Sequence, residues 1–150
     1  MSKSADQSRM RPTDRSLPIA LLRAREVIME PIRDMLSRSG LSEQKWRVLR
    51  VIEEDGPLQQ TEIAERACLL LSSLTRLLGA LEQDGFLERR VDETDRRVSV
   101  VSITDQGREL IALHQEQSKK IFAEFRAELG SDKMELLLDL LDDVRHLNRG

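Results

Sequence analysis

The stretch "SSLTRLLGALEQDGFLERRVDETDRRVSVVSIT" (residues 72–104) carries two periodicities, and the point where one replaces the other decides the fold. From Ser72 to Gln83, the residues Leu74, Leu77, Leu78 and Leu81 recur at helical spacing and share one face. Ser72 is a capping type at the start of that helix, and Gly85 followed by Phe86 is the glycine stop and trailing hydrophobic residue common at helix ends. The period then changes. "LERRV" and "RRVSVVSIT" favour strands and flank the turn formers "DETD", so a β-hairpin is predicted.

The outward face of the helix holds Ser72, Ser73, Thr75 and Arg76, with Gly79, Ala80 and Gln83 behind them. Short hydroxyl side chains on a narrow helix suit the major groove of DNA: they reach phosphates, while an arginine spans guanine O6 and N7. The hairpin concentrates charge. Arg89 and Arg90 fall on its outgoing strand, with Arg96 and Arg97 on the return strand. The acids Asp92, Glu93 and Asp95 can orient these guanidinium groups without filling all their donors, and Asp95 bound to Arg97 would extend that side chain toward a narrow minor groove.

Upstream, "QTEIAERACLL" (60–70) reads as a short helix with Gln59 before it and Glu62 as a capping box, so that with the 72–83 helix it makes a helix-turn-helix. Before it, "EQKWRVLRVIEE" (43–54) is a helix capped by Ser42 and closed by Asp55-Gly56-Pro57. A longer helix begins at Ser16 with Pro18 in its first turn, is expected to kink at Pro31, and stops at Gly40. Downstream, Thr104 caps a helix over 105–129 with Ile111, His114, Ser118, Ile121, Phe122, Phe125 and Leu129 on one stripe. Gly130 ends it, and a last helix carries the apolar seam Met134, Leu137, Leu138, Leu141, Val144 and Leu147.

The expected fold is mainly α with a small β-hairpin: a winged helix-turn-helix domain flanked by N- and C-terminal dimerisation helices. Residues 1–15 are polar and without period, and are expected to form a flexible N-terminal arm. Residues 16–150 form one domain, with 42–104 as the DNA-binding winged helix and 16–39 and 105–150 as dimerisation helices. A helix of 25 residues is nearly 40 Å long, more than one small domain covers. Two-fold pairing would set the two recognition helices about 34 Å apart, one turn of DNA.

Composition bounds the function. The 150 residues carry 24 Lys and Arg against 27 Asp and Glu, a net charge of −3, with no basic tail, so positive charge for DNA must be arranged by the fold. No apolar run is long enough for a membrane span and the N-terminus lacks a signal h-region, which makes the cytoplasm the expected compartment. His114 and His146 sit on separate helices without ligand-spaced partners, and no phosphate loop or nucleophile motif is present. No metal, cofactor or catalytic residue is expected, and the chain is not expected to be an enzyme.

The segment "SSLTRLLGALEQDGFLERRVDETDRRVSVVSITDQGREL" (72–110) resembles the winged helix of the MarR family of bacterial transcription regulators, including the Asp95-x-Arg97 wing tip and Ile103-Thr104-x-x-Gly107 leading into the next helix. "SLPIALLRARE", "GLSEQKWRVLRVI" and "AERACLLLSS" are similar to the branch that regulates homoprotocatechuate (4-hydroxyphenylacetate) degradation operons. The resemblance covers residues 16 to about 148. It implies a homodimer on a pseudo-palindromic operator, with repression of an aromatic-acid catabolic operon relieved by a small phenolic acid such as 4-hydroxyphenylacetate or homoprotocatechuate. Leu71 departs from it, standing before Ser72 where relatives often place a polar residue.

The resemblance also implies a ligand site between the dimer helices and the winged-helix body. A carboxylate needs a forked cation and its ring an apolar wall, which singles out Arg25, Trp46, Arg47 and Arg50, with Arg23 as a further candidate. Two other readings stay open: an oxidant sensor acting through Cys68, and a winged-helix module that binds protein rather than DNA. Cys68 lies in the apolar run "ACLLL" with no His or Lys beside it, so it is expected to be a buried, inert thiol.

Overall fold

The computed structural model describes Met10 and residues 12–148. The predicted arm over 1–15 therefore falls largely outside the described residues; within it, Thr13–Arg15 forms a single 3-10 turn. Six α-helices follow among the described residues: α1 (Leu17–Ser37), α2 (Glu43–Asp55), α3 (Gln60–Arg66), α4 (Leu71–Gln83), α5 (Asp105–Leu129) and α6 (Ser131–Arg145). Three short strands, β1 (Leu58–Gln59), β2 (Leu87–Val91) and β3 (Ser99–Ile103), form one antiparallel sheet in the order β1-β3-β2.

Local chemistry sets most boundaries. Ser42 accepts a hydrogen bond from the Lys45 amide at 3.2 Å, a cap of the kind whose loss costs about 1 kcal/mol. Thr104 does more: its hydroxyl accepts from the Gly107 amide at 3.1 Å and donates to the Gly85 carbonyl at 2.6 Å, so one side chain fastens the start of α5 to the end of α4. Gly107 is required there, because a Cβ would collide with the Phe86 carbonyl and the Ile103 side chain. The threonine-glycine pair in the sequence is thus a packing device.

The sequence misjudged three local features. Ser72 is not the cap of α4; the helix begins one residue earlier with Leu70 at the N-cap position, and no side chain caps it. Arg96 and Arg97 are not on the return strand, since the hairpin loop runs from Asp92 to Val98 and β3 starts at Ser99. The third concerns Cys68, which is exposed and has a left-handed φ of 54° in the turn between α3 and α4. A residue in that conformation reverses the chain, and here the side chain is left in solvent while Ala67 is buried and Leu69 packs against the core.

Two apolar clusters hold the chain. The larger joins α2, α3, α4, the sheet and the start of α5 through residues such as Leu49, Ile63, Leu78, Val101 and Ile111. A smaller one packs Ile32, Met35 and Leu36 of α1 against Ile121 of α5. Leu41 and Trp46 touch both. They couple the long helices to the winged body. Helix α6 has no buried residue, and Leu136, Leu137, Leu138 and Leu140 are all exposed on this single chain.

Candidate nucleic-acid interface and adjoining cavity

Helix α4 buries Leu74, Leu78 and Leu81 and turns Ser72, Thr75, Arg76 and Gly79 to solvent, with Ser73 half-buried. Thr75 is more occupied than its sequence position suggested. Its hydroxyl donates to the Leu71 carbonyl at 2.9 Å and accepts from the Gln60 side-chain amide, so α3 and α4 are laced together at the exposed surface. Gln60 was missed by sequence reasoning. It belongs to this face through tertiary packing, and only its place at the start of the preceding helix hinted at it.

The four hairpin arginines divide by role. Arg89 Nε lies 2.9 Å from Glu82 Oε2, tying β2 back to α4. Arg90 pairs with Glu88 at 2.8 Å on its own strand and stays largely exposed. Arg97 is gripped by Asp95, with Nε 3.1 Å from Oδ1 and Nη2 3.3 Å from Oδ2, yet its side chain is 91% exposed. Neither Arg76 nor Arg96 forms an ion pair with any described residue. Those two cations are available for phosphate or base edges.

The loop itself is ordered by its acids. Asp92 Oδ1 accepts from the Thr94 amide at 2.9 Å and the Thr94 hydroxyl at 2.7 Å, and these bonds hold its carboxyl below the usual carboxylate range. Asp95 is held low as well, first by the Arg97 side chain and then by the Arg97 amide. Both acids stay ionised and keep the turn in shape.

On the far side of α2 lies a cavity of about 1240 Å³ between α1, α2, α5 and α6, walled by Trp46, Phe122, Phe125 and the α6 leucines and rimmed by Arg50, Lys119 and Arg126. Apolar walls with a few cations suit an aromatic acid. The sequence named Arg50 and Trp46; Lys119 and Arg126 were missed, although each stands one turn from Phe122 on α5. Arg25 and Arg47 do not line this cavity. They converge on Glu43 on another side of α2, with Arg25 Nη2 2.7 Å and Arg47 Nε 3.6 Å from its Oε1, beside a smaller cavity of about 450 Å³. The four predicted ligand residues are thus two separate pairs.

His114 stands behind the large cavity. It is buried, its ring meets that of Trp46 edge-on at 5.8 Å, and Nε2 lies 2.7 Å from the Ser39 hydroxyl. Burial lowers its pKa, and the positive charge of Arg38 lowers it further. It is a satisfied core histidine. Among the described residues there is no cluster of His, Cys, Asp and Glu able to hold a metal ion, and no helix long and apolar enough to cross a membrane.

A helix-turn-helix whose second helix presents a polar face, followed by an arginine-bearing hairpin, defines a winged-helix DNA-binding protein. Comparison with known proteins gives the class. The MarR family model matches residues 41–99. The chain is 36% identical over 128 residues to the homoprotocatechuate degradative operon repressor of Escherichia coli, covering 85% of this chain and 86% of that protein. It is similar to the crystal structure of NadR in complex with 4-hydroxyphenylacetate, at 31% identity and a TM-score of 0.82 over 93% of this chain and 99% of that one. It is also similar to the transcriptional repressor CouR bound to a 23-mer DNA duplex, at 25% identity and a TM-score of 0.80 over 93% and 100% of the two chains. This chain belongs to the MarR family and is a transcriptional regulator.

Proposed function

We propose that this protein is a homodimeric, cytoplasmic repressor of an aromatic-acid catabolic operon, released from a pseudo-palindromic operator by a small phenolic acid. Residues 42–104 form its DNA-binding winged helix, and 16–39 with 105–150 its dimerisation helices. Ser72, Ser73, Arg76, Arg90, Arg96 and Arg97 contact DNA, Asp95 orients Arg97, and Thr75 and Arg89 act mainly as braces. Trp46 and Arg50 hold the acid.

The observation that carries this reading is the placement of the cation-rimmed cavity. It lies between the long helices and the winged body, where Trp46 touches both apolar clusters, so an occupant bears on the angle between them. Dimerisation is supported by surface. Leu136, Leu137, Leu138 and Leu140 of α6 lie exposed on the single chain, an apolar row that a second copy would cover. The relatives fit the same chemistry: one is named for the homoprotocatechuate operon it represses, and another holds 4-hydroxyphenylacetate.

The test is a footprint on the DNA upstream of the protein's own gene, with and without 4-hydroxyphenylacetate and homoprotocatechuate. Two protected half-sites about one helical turn apart, lost on adding an acid, are expected. Protection that ignores both acids at millimolar concentration would overturn the effector assignment, and the absence of protection would count against the repressor.

A further inference from the structure

The leading turn of the recognition helix raises a question that its arginines and serines do not answer. Leu70 is 74% exposed and Leu71 48% exposed, side by side, whereas Leu69 just before them packs against the core. Leu70 has no side-chain oxygen to cap the helix, and none caps it. Two exposed leucines therefore stand where a capping residue and a phosphate-binding hydroxyl would serve better. Their position gives them a use, because the first residues of a recognition helix are those that meet base edges.

The major groove offers few apolar surfaces. The C5 methyl of thymine is the one such group that a base edge presents there. We infer that Leu70 and Leu71 read thymine: the pair packs on a thymine methyl in each half-site and makes the operator specific for that base at a position no hydrogen bond reads. Leu71 precedes Arg76 by five residues, about 7.5 Å along the helix axis. At about 3.4 Å per base pair the thymine lies within about three base pairs of the base that Arg76 reads. The inference rests on the DNA-binding reading above and adds a specificity determinant to it.

The experiment isolates one methyl group. In the duplex protected by the protein, or in one selected from a random pool if the upstream DNA shows no footprint, each thymidine is replaced singly by deoxyuridine, which keeps O4 and loses only the methyl. Affinity is measured by fluorescence anisotropy for the wild type, L70A/L71A and L70M/L71M. Wild type is expected to lose about fourfold at the contacted position, the worth of one methyl-sized apolar group, and about sixteenfold when both half-sites are changed. L70A/L71A should bind the thymidine and deoxyuridine duplexes equally, while L70M/L71M keeps a preference for thymidine. Leu70 stands at the N-cap, where alanine caps no worse than leucine, and Leu71 is the first helical residue, where alanine is a strong helix former, so the helix is expected to persist, as circular dichroism will report.

Wild type that binds its duplex yet tolerates every deoxyuridine overturns the inference and leaves the DNA-binding reading intact. The inference fails equally if L70A/L71A keeps the wild-type ratio, or if L70M/L71M loses it. A protein that selects no duplex at all removes both.

Discussion

Asp95 holds Arg97 by two side-chain bonds, Nε to Oδ1 at 3.1 Å and Nη2 to Oδ2 at 3.3 Å, while accepting the Arg97 amide at 3.1 Å. An acid at the tip of a DNA-binding wing is unfavourable by charge alone. It is favourable if it fixes the extended pose of the arginine, which still has donors to spare. The two roles predict opposite signs. Asp95→Asn removes a negative charge near phosphate and so should tighten binding if charge decides. If positioning decides, affinity falls by roughly tenfold, about 1.4 kcal/mol, and this is the expected outcome in titrations at fixed salt. Tighter binding by Asp95→Asn would refute the positioning role.

Arg89 and Arg97 should separate in salt dependence. Each phosphate contact contributes about 0.9 to the slope of log affinity against log salt. Arg97→Ala is expected to lower that slope by about one if the guanidinium meets phosphate as well as the groove floor. Arg89, paired with Glu82 at 2.9 Å, should leave the slope nearly unchanged when replaced by alanine. Its loss instead loosens β2 from α4. Equal slope changes for both variants would return Arg89 to the set of direct contacts that its sequence position first suggested.

How much could be read from the sequence depended on whether the cause was local. The bounds of α5, the Thr104 cap, the Gly130 stop and the existence of a hairpin all follow from residues within a few positions of one another. Strand β1 was not anticipated, because two residues make no period and its pairing of Leu58 with Val101 spans 43 positions. The ligand residues were half legible. Arg50 stands one turn from Trp46 and shares its face, but Arg47 is rotated about 100° from Trp46 and stands one turn from Glu43, which draws it and Arg25 away. Helical spacing foretold which arginine lay beside the tryptophan; which carboxylate would recruit an arginine from another helix required the fold.

Acid should destabilise the protein through His114. Burial, and secondarily Arg38, hold the folded pKa below its ordinary value of 6.5, so the unfolded chain takes up the proton first. The stability tied to the neutral ring is complete above about pH 6.5. It falls as pH drops below that value and levels once the folded ring is itself protonated. Urea midpoints at pH 7.5 and 5.5 will show this, and His114→Gln should flatten the difference between them. At pH 7.5 the variant is expected to lose about 1 kcal/mol from the bond to Ser39. A wild-type midpoint that holds or rises on acidification, with the variant behaving identically, would exclude His114 as the cause.

The division of the arginines gives a direct test of the cavity. Arg50 lines it and, among the described residues, pairs only with Glu53, at 2.8 Å on an exposed face, so an incoming carboxylate has a weak competitor to displace. Arg25 lies outside it and bridges α1 to α2 through Glu43. Titrating 4-hydroxyphenylacetate while following Trp46 fluorescence, Arg50→Ala should weaken binding roughly 10- to 100-fold, the loss of one charge-assisted hydrogen bond of about 1.5–3 kcal/mol. Arg25→Ala should leave ligand affinity within about twofold and show its effect in thermal stability instead, by less than about 1 kcal/mol for a partly exposed pair. If Arg25→Ala abolishes the fluorescence response and Arg50→Ala does not, the acid binds against Glu43 in the smaller cavity. The coupling to DNA would then run through the α1–α2 bridge, with no part for the aromatic wall.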